Sequence, residues 1–342
     1  MKNNIEAIFD SFEGMNVLIV GDVMIDRYMT GAVTRVSPEA PVPVVHLQQS
    51  ETRLGGAANV ALNVKALGAT PYLCSIIGKD EKAEKLLELL GEEGLPVRGV
   101  VQSSNRRTTT KTRVIAGSQH LLRVDEEDVH ELSPIEERDL MLVVRELLEL
   151  KEFDAILFQD YNKGVLSFNI IRNIMLEAVK RDIPTAVDPK RNNFTAYQKV
   201  TLFKPNLKEV QDHLNFKISS EFVDLAKASE QIKSALNNKI TLITLSEKGL
   251  FIDDGQDARI IATTPRSISD VCGAGDTVFS VAGLGLAAGL DSRAIATLSN
   301  LAGGQVCEHV GVVPVDRDQL KEEYIALLES QQGQPSDAEN QS

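Results

Sequence analysis

Cysteine is scarce in this 342-residue chain: Cys74, Cys272 and Cys307 are the whole complement, an odd count with no C-x-x-C pair. Neither a disulfide framework nor a cysteine zinc site is indicated, and a reducing compartment fits. A basic surplus is missing as well. The formal net charge of -13 argues against nucleic acid as a partner, because a phosphate backbone is held mainly by lysine and arginine. No apolar run is long enough to span a bilayer, and Met1-Lys2-Asn3-Asn4-Ile5-Glu6 has no apolar signal core. The expectation is a cytoplasmic protein without a membrane partner. His46, His120, His130, His213 and His309 lack metal-ligand spacing. No G-x-x-x-x-G-K-[S/T] occurs, which disfavours a P-loop NTPase. The glycines of residues 283–289 lie inside a helical pattern and follow no strand, so they are no dinucleotide fingerprint.

What is present reads as α/β. Residues 16–20 form a short, β-branched apolar run that stops at Gly21-Asp22. The design recurs at 155–158 before Gln159-Asp160, at 184–187 before Asp188, at 200–203 before Lys204-Pro205-Asn206, and at 242–245 before Ser246. Such continuous runs are buried on both faces, as in a parallel sheet covered by helices, and ligands bind at the carboxyl ends of these strands. Helices alternate with them. Residues 133–150 open with Ser133-Pro134-Ile135-Glu136, a capping box with proline at the first helical position, and 167–181 and 222–236 are similar. This alternation predicts one doubly wound domain over residues 1–330. Residues 28–52 and 106–125 read as extended strands, either a small sheet over the active edge or two surface hairpins. Residues 331–342 are polar and acidic, and a disordered tail is expected there.

The chain is organised around Asp270-Val271-Cys272-Gly273-Ala274-Gly275-Asp276-Thr277-Val278-Phe279. A polar turn with two glycines runs into an apolar pattern that predicts a buried helix with Asp276 in its first turn. The amides of Gly273, Ala274, Gly275 and Asp276 would cradle an anion at the positive helix start. A carboxylate beside that anion is what phosphoryl transfer needs: the amides neutralise charge while Asp276 accepts a proton. An ordinary helix start with an acidic first-turn residue fits this decapeptide equally well.

Two stretches together point further. Gly55-Gly56-Ala57-Ala58-Asn59-Val60-Ala61-Leu62-Asn63, followed by Leu67-Gly68, resembles the amino-terminal signature of the ribokinase-like carbohydrate kinases, and residues 270–279 resemble their carboxyl-terminal signature. The likeness runs from about Met15 to Leu328. Residues 21–28, 36–44, Asp160-Tyr161-Asn162-Lys163-Gly164 and Asp188-Pro189-Lys190 are similar to a narrower group that acts on D-glycero-D-manno-heptose 7-phosphate. The resemblance implies a ribokinase-like α/β fold, with a central mostly parallel sheet flanked by helices, a small β-sheet lid, and a homodimer through the lid. It implies ATP and Mg²⁺, a sugar phosphate as small-molecule substrate, and transfer to the anomeric hydroxyl on the way to ADP-heptose and lipopolysaccharide core. The alternatives are another sugar or nucleoside acceptor, or a sugar-phosphate-binding regulator without catalysis. Many relatives carry a fused adenylyltransferase with a His-x-Gly-His motif; His309-Val310-Gly311-Val312 lacks the second histidine, so no such activity is expected. Gln159 stands where a small residue is usual and Lys204 where threonine is usual, and neither is expected to touch the catalytic signature.

Residue roles follow. Asp22 and Asp26 suit sugar hydroxyl donors, or else cap loops or pair with Arg27. Gly55 and Gly56 allow close approach to the sugar, with Asn59 reading a hydroxyl. Among Arg107, Lys111 and Arg113, at least one is expected to reach the sugar phosphate. Asp160, Lys163 and Lys190 follow strands where sugar and phosphoryl group should meet. Asn206, Leu207, Lys208 and Glu209 resemble the family's Asn-x-x-Glu element, with a helix start for nucleotide phosphate and Glu209 orienting Mg²⁺ through water. A plain capping box explains the same four residues. Ser246 and Gly249 resemble a nucleotide-contacting turn, and Asn300 lies where relatives flank the adenine.

Overall fold

Alternation within the short apolar runs decides the layering. In the computed structural model, which describes residues 2–117, 119–214 and 216–332, Val17 and Ile19 enter one buried layer while Leu18 and Val20 enter the other. Ala155 and Leu157 against Ile156 and Phe158 repeat the division, as a strand covered on both faces requires.

From the amino terminus the chain runs α1 (Lys2–Phe12), β1 (Asn16–Gly21), β2 (Val23–Val36), β3 (Pro43–Gly56), α2 (Ala57–Ala66), β4 (Thr70–Ile77) and α3 (Glu81–Glu92). Then come β5 (Val100–Gln102), β6 (Thr110–Ala116), β7 (Gln119–Glu126), α4 (Pro134–Leu150), β8 (Ala155–Gln159), α5 (Phe168–Arg181) and β9 (Thr185–Asp188). The remainder holds β10 (Leu202–Phe203), α6 (Leu207–His213), α7 (Phe222–Leu236), β11 (Ile240–Thr244), β12 (Leu250–Asp253), β13 (Ala258–Ile261), α8 (Ala274–Ala287), α9 (Ser292–Val306) and α10 (Arg317–Gln332).

The main sheet has the order β13-β12-β11-β10-β9-β8-β1-β4-β5, parallel from β11 to β5 with β12 and β13 antiparallel at one edge. Helices α2, α8, α9 and α10 pack on one face and α4, α5 and α7 on the other. The helix starts obey their caps: Ser133 and Glu136 form the reciprocal box, and Ser167 accepts from the Ile170 amide.

The second sheet has the order β3-β2-β6-β7, with β2 and β6 parallel and the other pairs antiparallel. Its first two strands overrun the expected segment at both ends: β2 starts at Val23, directly after β1, and β3 runs to Gly56, where α2 begins. In the other segment residues 106–109 precede the strands, which span β6 and β7. The base of the small sheet therefore lies against the carboxyl edge of the main one. Helix α10 extends to Gln332, and the tail expected from residue 331 falls outside the described residues from 333 onward.

Candidate active site

Asp276 lies in the first turn of α8, only 4% exposed, with its carboxylate in a polar nest rather than in hydrocarbon. Oδ2 accepts from Asn59 Nδ2 at 2.9 Å; Oδ1 accepts from Tyr161 Oη at 2.6 Å and Gln159 Nε2 at 3.1 Å. Burial pushes its pKa up to about 6, while the Asn59 and Tyr161 bonds pull the other way and Asp188 adds to the rise. Tyr161 keeps its proton, because burial and the neighbouring Asp276 raise its pKa far above the usual tyrosine range. Asn59 is oriented by Asn63, whose Nδ2 donates to Asn59 Oδ1 at 3.2 Å and whose own Oδ1 accepts from Thr277 Oγ1 and the Val315 amide.

Gly273 caps α8 with φ 80, and a Cβ there would lie 3.0 Å from Asn59 Nδ2, so only glycine lets the turn and the asparagine meet. The expected cradle of four amides is reduced. The Ala274 N–H turns back to the Val271 carbonyl at 3.3 Å, which leaves Gly273, Gly275 and Asp276 as donors without a backbone partner among the described residues. Ala274 and Gly275 line a cleft of about 960 Å³, and Asn206, Leu207, Lys208, Ser246, Gly249 and Asn300 line the same cleft. Glu209 does not. Its carboxylate closes the capping box on the Asn206 amide at 2.8 Å and pairs with Lys190. Asn300 is itself tied by Nδ2 to the Ala262 carbonyl at 2.8 Å.

The acids expected to meet the sugar are largely occupied. Asp22 accepts from the amides of Tyr161 at 2.8 Å, Lys163 at 3.1 Å and Val165 at 3.1 Å, so it shapes the loop after β8. Its pKa is pushed up to about 6 by burial and by Asp160. Asp160 accepts from Asn193 at 2.9 Å, Tyr197 at 2.8 Å and the Asn162 amide at 2.8 Å. Asp26 pairs with Arg113. The close approach that Gly55 and Gly56 permit is to these acids: a Cβ at Gly55 would sit 2.1 Å from Asp26 Oδ2, and one at Gly56 2.4 Å from the Asp22 carbonyl.

Cations crowd the same edge, most of them already paired. Arg107 is largely exposed beside Asp128, Lys163 reaches Glu127 at 2.6 Å, and Lys190 sits between Glu209 and, at 3.8 Å, Asp188. Lys204 Nζ lies 3.0 Å from Asp188 Oδ2. Lys111 differs. It forms no ion pair with any described residue, its ammonium stands 5.3 Å from the Tyr161 ring centre, and burial together with Lys163 lowers its pKa.

Sequence reasoning left Asn63, Tyr161, Asp188, Gln159 and Lys204 without a role. Tyr161 and Asp188 carried a signal, since both lie in runs quoted for the narrower likeness. Gln159 and Lys204 require a correction: Gln159 bonds Asp276 directly, and Lys204 reaches it through Asp188, because the strand order brings 159, 188 and 204 side by side. Together the geometry offers a buried, ionisable acceptor at a helix start whose Ala274 and Gly275 line a large cleft, with cations close by. This can take up a proton while stabilising an anion.

The model of the pfkB family carbohydrate kinases matches residues 15–318. Among curated proteins, "Bifunctional protein HldE" of Methylobacillus flagellatus is 39% identical over 316 residues, which cover 92% of this chain and 64% of the relative. The protein of the same name from Geobacter sulfurreducens is 37% identical over the same shares. The chain thus spans a little under two thirds of the length of these relatives. Among solved structures, Escherichia coli phosphofructokinase-2 in complex with potassium superposes with a TM-score of 0.76 at 19% identity, covering 92% of this chain and 99% of that one. Arabidopsis thaliana ribokinase complexed with ribose and ATP gives a TM-score of 0.70 at 16% identity, covering 90% and 99%.

Proposed function

This chain belongs to the pfkB family of carbohydrate kinases, and on that footing we propose that it transfers the γ-phosphoryl group of ATP to the anomeric hydroxyl of D-glycero-D-manno-heptose 7-phosphate. It is a phosphotransferase acting on a sugar, with a ribokinase-like fold and a separate smaller sheet. The observation that carries the reading is the placement of Asp276, an acid with a pKa of about 6 held by three side chains at the start of α8, beside the cleft that Gly275 lines. The heptose acceptor is supported by the HldE relatives and by the runs around Asp160 and Asp188.

ATP occupies the 960 Å³ cleft, with its phosphates toward the amides of Gly275 and Asp276. Asp276 takes the acceptor's proton as the hydroxyl attacks the γ-phosphorus; with a loose transition state, its part is positioning and late proton removal. Asn59 and Tyr161 fix the orientation of the carboxylate. Among the described residues no cluster of three or more His, Cys, Asp or Glu side chains is placed for a metal. Mg²⁺ carried in on nucleotide phosphates keeps its waters and needs only one or two carboxylates. Glu209, in the helix turn behind the cleft-lining Asn206, would orient such a water on releasing Lys190, and the ion would neutralise phosphate charge. Lys111, without an ion pair among the described residues and next to Tyr161, is the cation for the acceptor's 7-phosphate.

The small sheet exposes apolar side chains, Val33, Val36, Leu47, Leu122 and Val124. A homodimer through this face covers them. Light scattering should return twice the chain mass, and Leu122→Lys should return the chain mass. Among the described residues no helix is long and apolar enough to cross a membrane. The product is read as an intermediate toward ADP-heptose and lipopolysaccharide core.

Incubation with heptose 7-phosphate and ATP, followed by phosphorus NMR, should show a new anomeric phosphate and a retained 7-phosphate. Faster ADP release with unphosphorylated sugars would overturn the acceptor, and tight binding of the heptose without any ADP release would overturn the reaction.

A further inference from the structure

Gln159 and Lys204 have no part in the reaction as written, yet their side chains meet beneath its base. β8, β9 and β10 are neighbours, with Gln159 level with Asp188 and Phe203 level with Val187, so Gln159, Asp188 and Lys204 end three adjacent strands in one row. Lys204 Nζ lies 3.0 Å from Asp188 Oδ2. The Gln159 amide nitrogen donates to that same Oδ2 at 3.4 Å and to Asp276 Oδ1 at 3.1 Å. All of these residues are buried. Gln159 Oε1 has no hydrogen-bond partner among the described residues, so the side chain gives up its acceptor in order to point both donors at carboxylates. A residue that merely filled space would carry no such orphan.

We propose that Gln159, directly, and Lys204, through Asp188, act as a matched pair of positioning residues that hold Oδ1 of Asp276 in its accepting orientation and screen it from the second carboxylate. This rests on Asp276 being the base. Two acids this close to one site resist joint ionisation unless a cation compensates one of them. Lys204 is that cation: Asp188 acts to raise the pKa of Asp276 and Lys204 to lower it. The other groups facing Asp276 are Asn59 from α2, Tyr161 from the loop after β8, and Lys190 beyond β9, itself paired with Glu209 of α6. Asn59 and Tyr161 stay neutral and Lys190 stays charged, so the row of 159, 188 and 204 is what distinguishes this base from a plain helix-start aspartate.

The test is a carboxyl carbon-13 NMR titration of the full chain without substrate, with the Asp276 signal identified by its loss in Asp276→Asn. Lys204→Met should raise the Asp276 midpoint by about one pH unit, since Asp188 is then uncompensated. Adding Asp188→Asn should bring it back to the wild-type value, a rescue that a purely structural role for Lys204 would not produce. Should Lys204→Met fail to fold, Asp188→Asn alone serves, and its midpoint should fall below wild type. Gln159→Leu should lower kcat by about tenfold with the KM for ATP within about twofold, because only a bond to the base is lost. Midpoints unchanged from wild type, or a raised midpoint that Asp188→Asn does not restore, overturn the proposal. No sugar enters the titration, so an incorrect acceptor leaves its outcome untouched.

Discussion

Asn59 Nδ2 stands 2.9 Å from Oδ2 of Asp276, joining two residues 217 positions apart. The contact ties the helix that follows the small sheet to the helix that carries the base. Asn59→Ala should cut kcat by roughly 10- to 100-fold, because the carboxylate loses one of its fixed donors, with ATP affinity preserved. Steady-state kinetics beside calorimetric ATP binding checks both halves, and an unaltered kcat would detach Asn59 from the reaction.

Asp276→Asn should lower turnover by roughly two or more orders of magnitude, since the amide cannot take the acceptor's proton. ATP should still bind. Single-turnover assays with the heptose 7-phosphate measure it, and wild-type turnover would remove Asp276 from the role of base.

The pH dependence has a definite sign. A base with a pKa of about 6 must be ionised, so kcat should fall as pH drops through 6. For stability, an acid raised from 3.8 to about 6 on folding binds more protons in the native state across that window. Its contribution therefore weakens as pH rises from about 4 to 6, and the cost is complete above 6. Asp22 adds a second term of the same sign. Asp276→Asn should accordingly gain stability relative to wild type between pH 4.5 and 7.5. Urea unfolding at both values tests this, and a difference independent of pH would contradict it.

Lys111→Met should raise the KM for the phosphorylated acceptor by roughly tenfold or more, as expected when a charge-assisted contact to phosphate is lost, with a smaller effect on kcat. Unphosphorylated sugars, which make no such contact, should be handled as before. Equal losses on both acceptor classes would show that Lys111 serves something other than the phosphate.

Gly273→Ala places a Cβ where φ is 80 and Asn59 Nδ2 is 3.0 Å away. Strain of about 1 kcal/mol is expected from the left-handed backbone alone. Activity should fall along with the melting temperature, because the side chain displaced is the one holding the base. A variant melting like wild type would show that the turn relaxes freely.

Some of this was legible in the order of residues. The apolar runs at 16–20 and 155–158 became central strands, and the capping boxes at Ser133 and Asn206 started helices where their spacing says. These signals are local: a strand's alternation and a helix's first turn are complete within a few residues. Asp22 was recognisable as an acid at a strand end. That it would spend its oxygens on three amides 139, 141 and 143 residues away was not, because those amides belong to another strand's loop. Glu209 shows the same limit, since its cap is local while its pairing with Lys190 depends on α6 lying beside the loop after β9.

By itself, then, the sequence determined which segments are strands or helices, that both faces of the sheet are covered, and that an acid opens α8 behind a glycine turn. Only the tertiary structure decided that this acid is held by Asn59, Tyr161 and Gln159, and that Asp188 and Lys204 stand in the row below it. It also left Lys111 without an ion pair among the described residues, over the ring of Tyr161. The reason is physical: hydrogen-bonding propensity and apolar period act along the chain, whereas charge pairing and desolvation depend on distances through space, and those are set by which strands lie next to one another.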